Sequence, residues 1–200
     1  MARPPGGRPK RQTVKRKPKV TFRVFAEGSL TEPSYFNHLG RTLSGAAITF
    51  ADCNKTDPIS IVKAAKAEKK GHGRNGPYDE YWCLFDRDEH FGYGDAIVHA
   101  RDAGINVGYS NPCFELWLLL HSTDISSFVS HHEAQAKCQS LGLVNGKDLC
   151  AENWARLADE LDAAMQRAID LRQRNLDIDV LEHENPSTSV DELVRRLLAT

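Results

Sequence analysis

Residues 81–88 read YWCLFDRD, a run of five apolar residues followed by two aspartates, Asp86 and Asp88. Residues 20–28 have the same plan, because the largely apolar run VTFRVFA ends on Glu27 and a glycine. Short apolar runs rich in β-branched and aromatic residues are typical of buried strands. We therefore predict that each run is a strand and that an acidic side chain stands at its carboxyl end.

A third apolar run, INVGY at residues 105–109, ends on Ser110 and Asn111. Segments with helical spacing separate the runs, and one of them begins with the helix-start signal Asp57-Pro58. Strands that alternate with helices predict a parallel sheet, and α/β folds place their sites at the carboxyl edge of such a sheet. The predicted elements are strands at about 20–27, 46–51, 80–86 and 105–109, and helices at about 31–43, 57–70 and 93–103.

The second half of the chain is predicted to be helical. Its clearest helix covers about 152–172, where apolar residues recur at three- and four-residue spacing. We therefore predict an α/β fold of Rossmann-like type, with a mostly parallel sheet, helices on both faces and a C-terminal helical layer. The helices of the second half are predicted at about 114–121, 131–141, 152–172 and 190–199.

Two helix starts carry the pattern of a capping box, in which a serine and a glutamate three residues later bind each other's backbone amides. Ser29 and Glu32 have this spacing before the first helix, where Thr31, with a proline two residues later, is the other choice of start. Residues 189–192 have the same spacing before the last helix. A capping box would give Glu32 a structural role.

The first 20 residues carry eight lysines and arginines and no acidic residue, whereas the whole chain has a net charge of −1. Basic segments of this kind neutralise nucleic-acid phosphates, although a solvated tail that only aids solubility has the same composition. The length of 200 residues suits one domain. We predict a basic, disordered arm at 1–19 and one domain at 20–200, with DNA, RNA or tRNA as the partner.

Membrane and secreted classes are not expected. No apolar run approaches the roughly 18 residues that span a membrane, and no hydrophobic region follows the first charges, as a secretory signal requires. The five cysteines form no Cys-x-x-Cys motif, which is typical of a reducing compartment. We expect a cytoplasmic protein without membrane contact, and a homodimer is left open. The pairs His131-His132 and Cys138 with Cys150 lack the usual spacing of a zinc site.

Asp86 and Asp88 are the sharpest chemical signal in the chain. Two carboxylates placed two residues apart after a strand can face one ion, and Mg²⁺ prefers such oxygen ligands. Glu27 adds a carboxylate at the same predicted edge, where a metal could sit next to a phosphate. The structural alternative is a turn, which aspartates favour, with neighbouring charges that form a solvated patch. The metal interpretation predicts a site for Mg²⁺ or Mn²⁺.

Two further glutamates are candidate site residues. Glu115 lies in FELWLLL at residues 114–120, the most apolar segment of the chain. A lone buried carboxylate is costly unless it is paired or bound to a metal, so such groups concentrate at functional sites. The alternative for Glu115 is a solvent-facing stripe on an otherwise buried helix. Glu32 is a candidate as well, unless a capping box accounts for it.

Four more residues could support a site at this edge. Ser110 and Asn111 end the fourth predicted strand, and Lys55 follows the second, where a cation could stabilise a transition state. His121 ends the apolar helix, where it could contact a phosphate or interact with the helix dipole. The sequence contains no P-loop, no nucleophile elbow and no Rossmann glycine fingerprint.

Four motifs together resemble those of RloB-type proteins. The resemblance covers about residues 20–200, all but the basic arm. RloB-type proteins are similar to TOPRIM domains, including the nuclease halves of OLD-type defence proteins. The motifs are EGSLTEPSYF at 27–36, FDRD at 85–88, SNPCFELWLLLH at 110–121 and NPST at 185–188.

The resemblance implies a TOPRIM-type Rossmann-like sheet with a glutamate after the first strand and an Asp-x-Asp after the third. It also implies a bacterial antiphage role, often alongside an ATPase encoded nearby. In OLD-like nucleases a second acid and a Ser-x-Glu supply further ligands. The residues that match the first three positions are Glu27, Asp86 and Asp88. The further ligands would be Glu32, Ser110 and Glu115, each at a longer spacing than in OLD-like nucleases.

The sequence leads to the hypothesis of a Mg²⁺-dependent nuclease in which Asp86, Asp88 and Glu115 hold the metal. Glu27 would be a general acid/base or a further ligand. The alternative is a non-catalytic module that binds nucleic acid or a partner protein, with the acids as a structural network. A phosphatase of the haloacid dehalogenase kind fits less well, because its first aspartate follows the first strand of the domain, and here it follows the third.

Overall fold

The computed structural model describes residues 18–53, 55–73, 76–87, 92–146, 148–177 and 184–200. Nearly all of the predicted arm at 1–19 lies outside these residues, and so does Asp88. The described part of the chain forms a five-stranded sheet with helices on both faces and a small two-stranded hairpin. The predicted α/β class is therefore confirmed.

The central sheet is mostly parallel, as predicted. Its strands are β1 (Val20–Ala26), β2 (Ala46–Phe50), β3 (Glu80–Asp86), β4 (Asn106–Asn111) and β7 (Ser187–Thr188), and the hairpin consists of β5 (Val144–Asn145) and β6 (Asp148–Leu149). The order across the sheet is β2-β1-β3-β4-β7, with β7 antiparallel to β4 and all other pairs parallel. The carboxyl ends of β1, β3 and β4 consequently lie side by side at one edge.

The helices cover both faces of this sheet. They are α1 (Thr31–Thr42), α2 (Pro58–His72), α3 (Tyr93–Asp102), α4 (Glu115–Leu120), α5 (His131–Ser140), α6 (Trp154–Asp159), α7 (Leu161–Asp177) and α8 (Val190–Leu198), with a 3₁₀ turn at Ala151–Asn153. Asp57 caps α2 as predicted, because its side chain accepts a hydrogen bond from the Ser60 amide at 2.8 Å.

Alternation along β3 shows how the two faces are divided. Tyr81, Cys83 and Phe85 pack with α2 and α3 in one core. Trp82 and Leu84 point to the other face and join the larger core formed with α1 and α4 through α8. Because side chains alternate along a strand, Asp86 follows Trp82 and Leu84 onto the face that α1 and α4 cover. The C-terminal helices form a layer on this face, as predicted.

The prediction of one continuous helix at 152–172 was wrong. The segment is a 3₁₀ turn followed by α6 and α7, which are interrupted at Glu160. In α7 the small side chains of Ala164 and Ala168 face the core, whereas Leu161 and Met165 are only half-buried. The three- and four-residue spacing continues across the break, so periodicity alone could not reveal it.

The prediction of a capping box between Ser189 and Glu192 at the start of the last helix was also wrong. The Ser189 hydroxyl accepts a hydrogen bond from the Tyr109 amide at 3.1 Å, and no side-chain cap forms at the start of α8. The Ser189 amide in turn donates to the Tyr109 carbonyl at 2.9 Å. Ser189 therefore extends the pairing between β7 and β4 instead of starting α8.

A buried ion pair fastens β7 and α8 to α7. Arg172 donates to both carboxylate oxygens of Asp191, at 2.6 and 3.1 Å, and to the Thr188 carbonyl. Asp191 is fully buried and also accepts from Arg195 at 2.7 Å. Arg172 lies in α7, Thr188 in β7 and Asp191 in α8, so these contacts join all three elements. Arg172 is itself buried.

None of the described helices is long and apolar enough to cross a membrane. The five cysteines are all free thiols. Cys83, Cys113 and Cys138 are buried in the two cores, where the thiol packs as a small apolar group.

Candidate active site

A cavity of about 320 Å³ opens at the carboxyl edge of the sheet. Four of the predicted carboxylates line it, and each comes from a different place in the fold. Glu27 follows β1, Asp86 ends β3, Glu32 lies in the first turn of α1 and Glu115 begins α4. The structure thus brings together four of the five acids that the sequence singled out, and the fifth, Asp88, lies outside the described residues.

The parallel pairing of β1 with β3 places Glu27 beside Asp86. The Glu27 amide donates to the Leu84 carbonyl at 3.1 Å, which continues the pairing of the two strands. The Glu27 carboxylate then accepts a hydrogen bond from the Asp86 amide at 3.3 Å. The Asp86 carboxylate accepts one from the backbone amide of Phe114. Hydrogen bonds from backbone amides therefore hold both carboxylates at the carboxyl edge of the sheet.

Glu32 is buried, and its carboxylate binds the Gly28 amide at 3.0 Å. The capping box predicted with Ser29 does not form, because α1 begins after Leu30, which makes no side-chain cap. Glu32 instead reaches back across the turn between β1 and α1. This contact closes the turn and points the carboxylate into the cavity beside Glu27.

Gly28 is required by the position of Glu32. A Cβ atom built on Gly28 would lie 2.1 Å from Glu32 Oε2 and 2.4 Å from Oε1. Both atoms belong to the flexible end of a side chain, so Gly28→Ala is expected to move the carboxylate and preserve the fold. By analogy with groups that orient metal ligands, we expect a loss of about 10- to 100-fold in metal affinity or activity.

The matched control for Gly28→Ala is Gly71→Ala. Gly71 lies inside α2, and nothing lies within 4 Å of its added Cβ, so alanine should stabilise the helix by up to about 1 kcal/mol. Thermal unfolding and Mn²⁺ affinity of both variants check the prediction. An unchanged affinity in Gly28→Ala would show that the position of Glu32 is irrelevant to the site.

Glu115 is buried in α4 with only 8% of its surface exposed. The prediction of a buried carboxylate in this apolar segment is confirmed, and the solvent-facing alternative is wrong. The Cys113 thiol is hydrogen-bonded to the Glu115 side chain, and Cys138 Sγ lies 3.4 Å from the Glu115 carbonyl oxygen. Burial, followed by the charge of Glu115, raises the pKa of both thiols, so they remain neutral neighbours.

Two members of this cluster, Asp86 and Glu32, have raised pKa values. Burial is the main cause that raises the pKa of Asp86 well above its usual value, and the charges of Glu32, Glu27 and Glu115 add to it. Burial also raises the pKa of Glu32, with smaller contributions from Glu115 and Glu27. Amide hydrogen bonds to each carboxylate oppose these effects without cancelling them. A cation in the cavity would relieve the repulsion.

The donor set suits a hard divalent cation, since carboxylate oxygens are the ligands that Mg²⁺ and Mn²⁺ prefer. Within the described residues, no group of three or more histidine, cysteine, aspartate and glutamate side chains is arranged to hold a metal ion. One carboxylate oxygen of Glu32 accepts a hydrogen bond from the Gly28 amide, and one of Glu27 accepts a hydrogen bond from the Asp86 amide. The residues therefore fit such an ion by the chemistry of their oxygens and by the raised pKa values of Asp86 and Glu32, and not by an arrangement already closed around it.

The predicted supporting residues do not line the cavity described above. Ser110 is buried, with its hydroxyl 3.1 Å from that of Thr188, and so helps to pair β4 with β7. Asn111 is buried beside a second cavity. Lys55 is exposed and lies one residue before Thr56, which does line the first cavity.

His121 lies in the core and not at the site. Its Nδ1 lies 2.7 Å from the Leu157 carbonyl oxygen, so Nδ1 carries the proton and Nε2 accepts a hydrogen bond from the Tyr35 hydroxyl at 3.1 Å. Burial lowers the pKa of His121 to about 4. The histidine is therefore a neutral link between α1, α4 and α6.

This depressed pKa predicts how stability depends on pH. Below pH 6.5 the unfolded chain takes up a proton that folded His121 refuses, so the contribution of His121 to the free energy of unfolding should fall between pH 6.5 and about 4. The full loss is about 3 kcal/mol. Urea unfolding across this range should show a flatter dependence for His121→Asn than for the wild type. The exposed His99→Asn is the control, and equal slopes in all three proteins would contradict the prediction.

Three residues that line the cavity were not predicted to belong to this site. His131 and Gln135 lie one turn apart on α5 and face the carboxylates, and Thr56 precedes α2. The polar residues of α5 gave no signal, because only the packing of α5 against α4 turns this side of the helix toward the site.

Comparison with known proteins agrees with the motifs. No curated protein and no solved structure matches the chain significantly. The family model described as RloB-like protein matches residues 22–197. That match includes all the described elements that place Glu27, Glu32, Asp86 and Glu115 around the cavity. The chain therefore belongs to the RloB-like family.

Proposed function

We propose that this protein is a Mg²⁺- or Mn²⁺-dependent nuclease of TOPRIM type that cleaves nucleic-acid phosphodiesters. The observation that carries the proposal is the convergence of Glu27, Glu32, Asp86 and Glu115 on one cavity at the carboxyl edge of a parallel sheet. Four carboxylates would repel a phosphate. A divalent cation among them offsets part of this negative charge and presents a positive centre that can bind a phosphate oxygen.

Each acid then has a distinct role. Asp86 and Glu115, with Asp88, would hold the ion, and Glu32 would orient the turn that carries Glu27. Glu27 is half-buried at the cavity mouth, where it could exchange a proton with water or the leaving oxygen, or serve as a further ligand. The bound ion would stabilise charge that develops on the phosphate and lower the pKa of a bound water.

The wider role is proposed from the family. RloB-type proteins resemble nucleases of antiphage defence, so we propose a defence role with an ATPase partner. The basic arm would supply affinity for the phosphate backbone without sequence choice. These statements rest on the resemblance and on the charge of the first 20 residues, not on the geometry of the cavity.

A cleavage panel tests the proposal. The purified chain is incubated with single- and double-stranded DNA and with total tRNA, in Mg²⁺, in Mn²⁺ and in EDTA. Cleavage that needs the metal and disappears in Asp86→Ala is the expected result. Cleavage that survives EDTA, or that Asp86→Ala retains, would refute the assignment. If no substrate is cleaved, the panel is repeated with the ATPase partner added.

A non-catalytic binding module remains the second candidate. The absence of a metal-binding group among the residues that the structure describes favours it. In that case the arm would do the binding, and deletion of residues 1–19 should abolish it while the fold persists. Metal-dependent cleavage retained by the truncated protein would reject this candidate.

A further inference from the structure

A second cavity, of about 330 Å³, lies next to the carboxylates. The two cavities meet, because His131 lines both, and because Asp86 lines the first while its neighbour Arg87 lines the second. Whatever occupies the second cavity is therefore adjacent to the site where we propose that a phosphodiester is cleaved. Its volume is in the range of pockets that bind small ligands.

One wall of the second cavity is an exposed aromatic ring. Phe128 is 73% exposed, the highest value among the large apolar residues of the described chain that are exposed. Its neighbour Val129 is buried, and Asn185 holds the Val129 backbone with two hydrogen bonds, at 3.0 and 2.8 Å. The ring is therefore presented to solvent on a fastened segment.

The rest of the wall is polar. Arg87 is paired with Glu184 at 2.6 Å, and both side chains are about one-third exposed. Asn111, Ser130 and His131 complete the polar side. A flat apolar ring and an arginine in the wall of one cavity suit a ligand with an aromatic face and a phosphate, which is the chemistry of a nucleotide.

We propose that this second cavity receives an unpaired nucleobase stacked on Phe128, so that the substrate is a single strand of DNA or RNA. A base inside a duplex has both faces covered by its neighbours, whereas a base in a single strand can leave the stack and lie on an aromatic side chain. Arg87, which lines the same cavity as Phe128 and follows Asp86 in the chain, would contact the phosphate of that nucleotide. The proposal rests on the proposed nuclease function in one respect: only if the first cavity cleaves phosphodiesters is the bound strand a substrate. The stacking of a base on Phe128 does not depend on it.

The test measures stacking and not cleavage. Single-stranded DNA and RNA oligonucleotides that contain 2-aminopurine are titrated with the full-length protein in EDTA and in Ca²⁺, and gels check that the strands stay intact. Wild type is expected to change the 2-aminopurine fluorescence and to prefer single strands over duplex. Phe128→Ala should lose the fluorescence change and bind single strands about 5- to 150-fold more weakly, whereas Phe128→Trp should retain both.

Leu198→Ala is the matched control, since Leu198 is also exposed but lies at the end of α8, two residues before Thr200, which lies against Gly45 at the amino edge of the sheet. Equal fluorescence change and affinity in wild type and Phe128→Ala would overturn the proposal, as would a wild type that binds duplex and single strand alike. Metal-dependent cleavage unaffected by Phe128→Ala would leave the nuclease intact and reject the base site. Stacking by the wild type, with no cleavage in the separate Mg²⁺ and Mn²⁺ panel even after the ATPase partner is added, would support the base site and reject the nuclease.

Discussion

Asp86→Asn should lower metal-dependent cleavage by about a thousandfold or more. The substitution keeps the size of the side chain but removes the negative charge that would hold the cation. A catalytic metal stabilises the transition state by several kcal/mol, and each 1.36 kcal/mol corresponds to a factor of ten in rate. Initial rates under single-turnover conditions, compared between wild type and variant, measure the effect.

The stability of Asp86→Asn shows whether a loss of cleavage comes from the missing carboxylate or from unfolding. Because the pKa of Asp86 is raised in the folded protein, its charged form opposes folding, and the contribution of Asp86 to stability falls as the pH rises above about 4, opposite in sign to that of His121. Asp86→Asn carries no such charge and should be at least as stable as wild type at pH 7 in EDTA. An Asp86→Asn variant that is well folded and still cleaves at the wild-type rate would contradict the role of Asp86.

Arg172→Met should lower the free energy of unfolding by about 3–5 kcal/mol. The change leaves Asp191, which is fully buried, without its main partner and removes the donor to the Thr188 carbonyl. Arg195 still contacts Asp191 but is half-exposed, so it compensates only in part. Urea unfolding at pH 7 measures the loss.

Arg174→Met is the matched control, two residues further along the same helix. Arg174 pairs with Asp124 at 3.0 Å, and both side chains are exposed, so its removal should cost no more than about 0.5 to 1 kcal/mol. A double variant, Arg172→Met with Asp191→Leu, should recover most of the lost stability because no buried charge remains. A cost for Arg172→Met equal to that of Arg174→Met would show that the buried pair contributes little.

The sequence was sufficient to predict the parallel part of the fold. The runs at β1, β3 and β4 have the composition of buried strands, and the helices between them begin and end within a few residues of the predicted positions. β7 was missed because it is two residues long and is held by contacts of Ser189 with Tyr109 and of Arg172 with Thr188. No pattern in the chain around residue 187 indicates those long-range contacts.

The part of the site that lies at the ends of parallel strands was predictable from the sequence. Parallel strands bring their carboxyl ends together, so Glu27 and Asp86 were expected to be neighbours, and a hydrogen bond joins them. Glu115 was predictable as a buried acid because of its apolar surroundings. His131, Gln135 and Phe128 were not, since the packing of α5 and of the chain before it places them. The contact of Glu32 with Gly28 replaces a capping box that local sequence favours equally well.

Mn²⁺ binding is the measurement that tests the central claim most directly, because it requires neither a substrate nor a partner protein. Free Mn²⁺ is followed by electron paramagnetic resonance as it is titrated into wild type, Asp86→Asn, Glu115→Gln and the control Asp102→Asn, an exposed acid at the end of α3. We expect saturable binding to wild type and to Asp102→Asn, and at least tenfold weaker binding to the other two variants. Equal binding in all four proteins, or no binding to wild type, would contradict a metal site among these carboxylates.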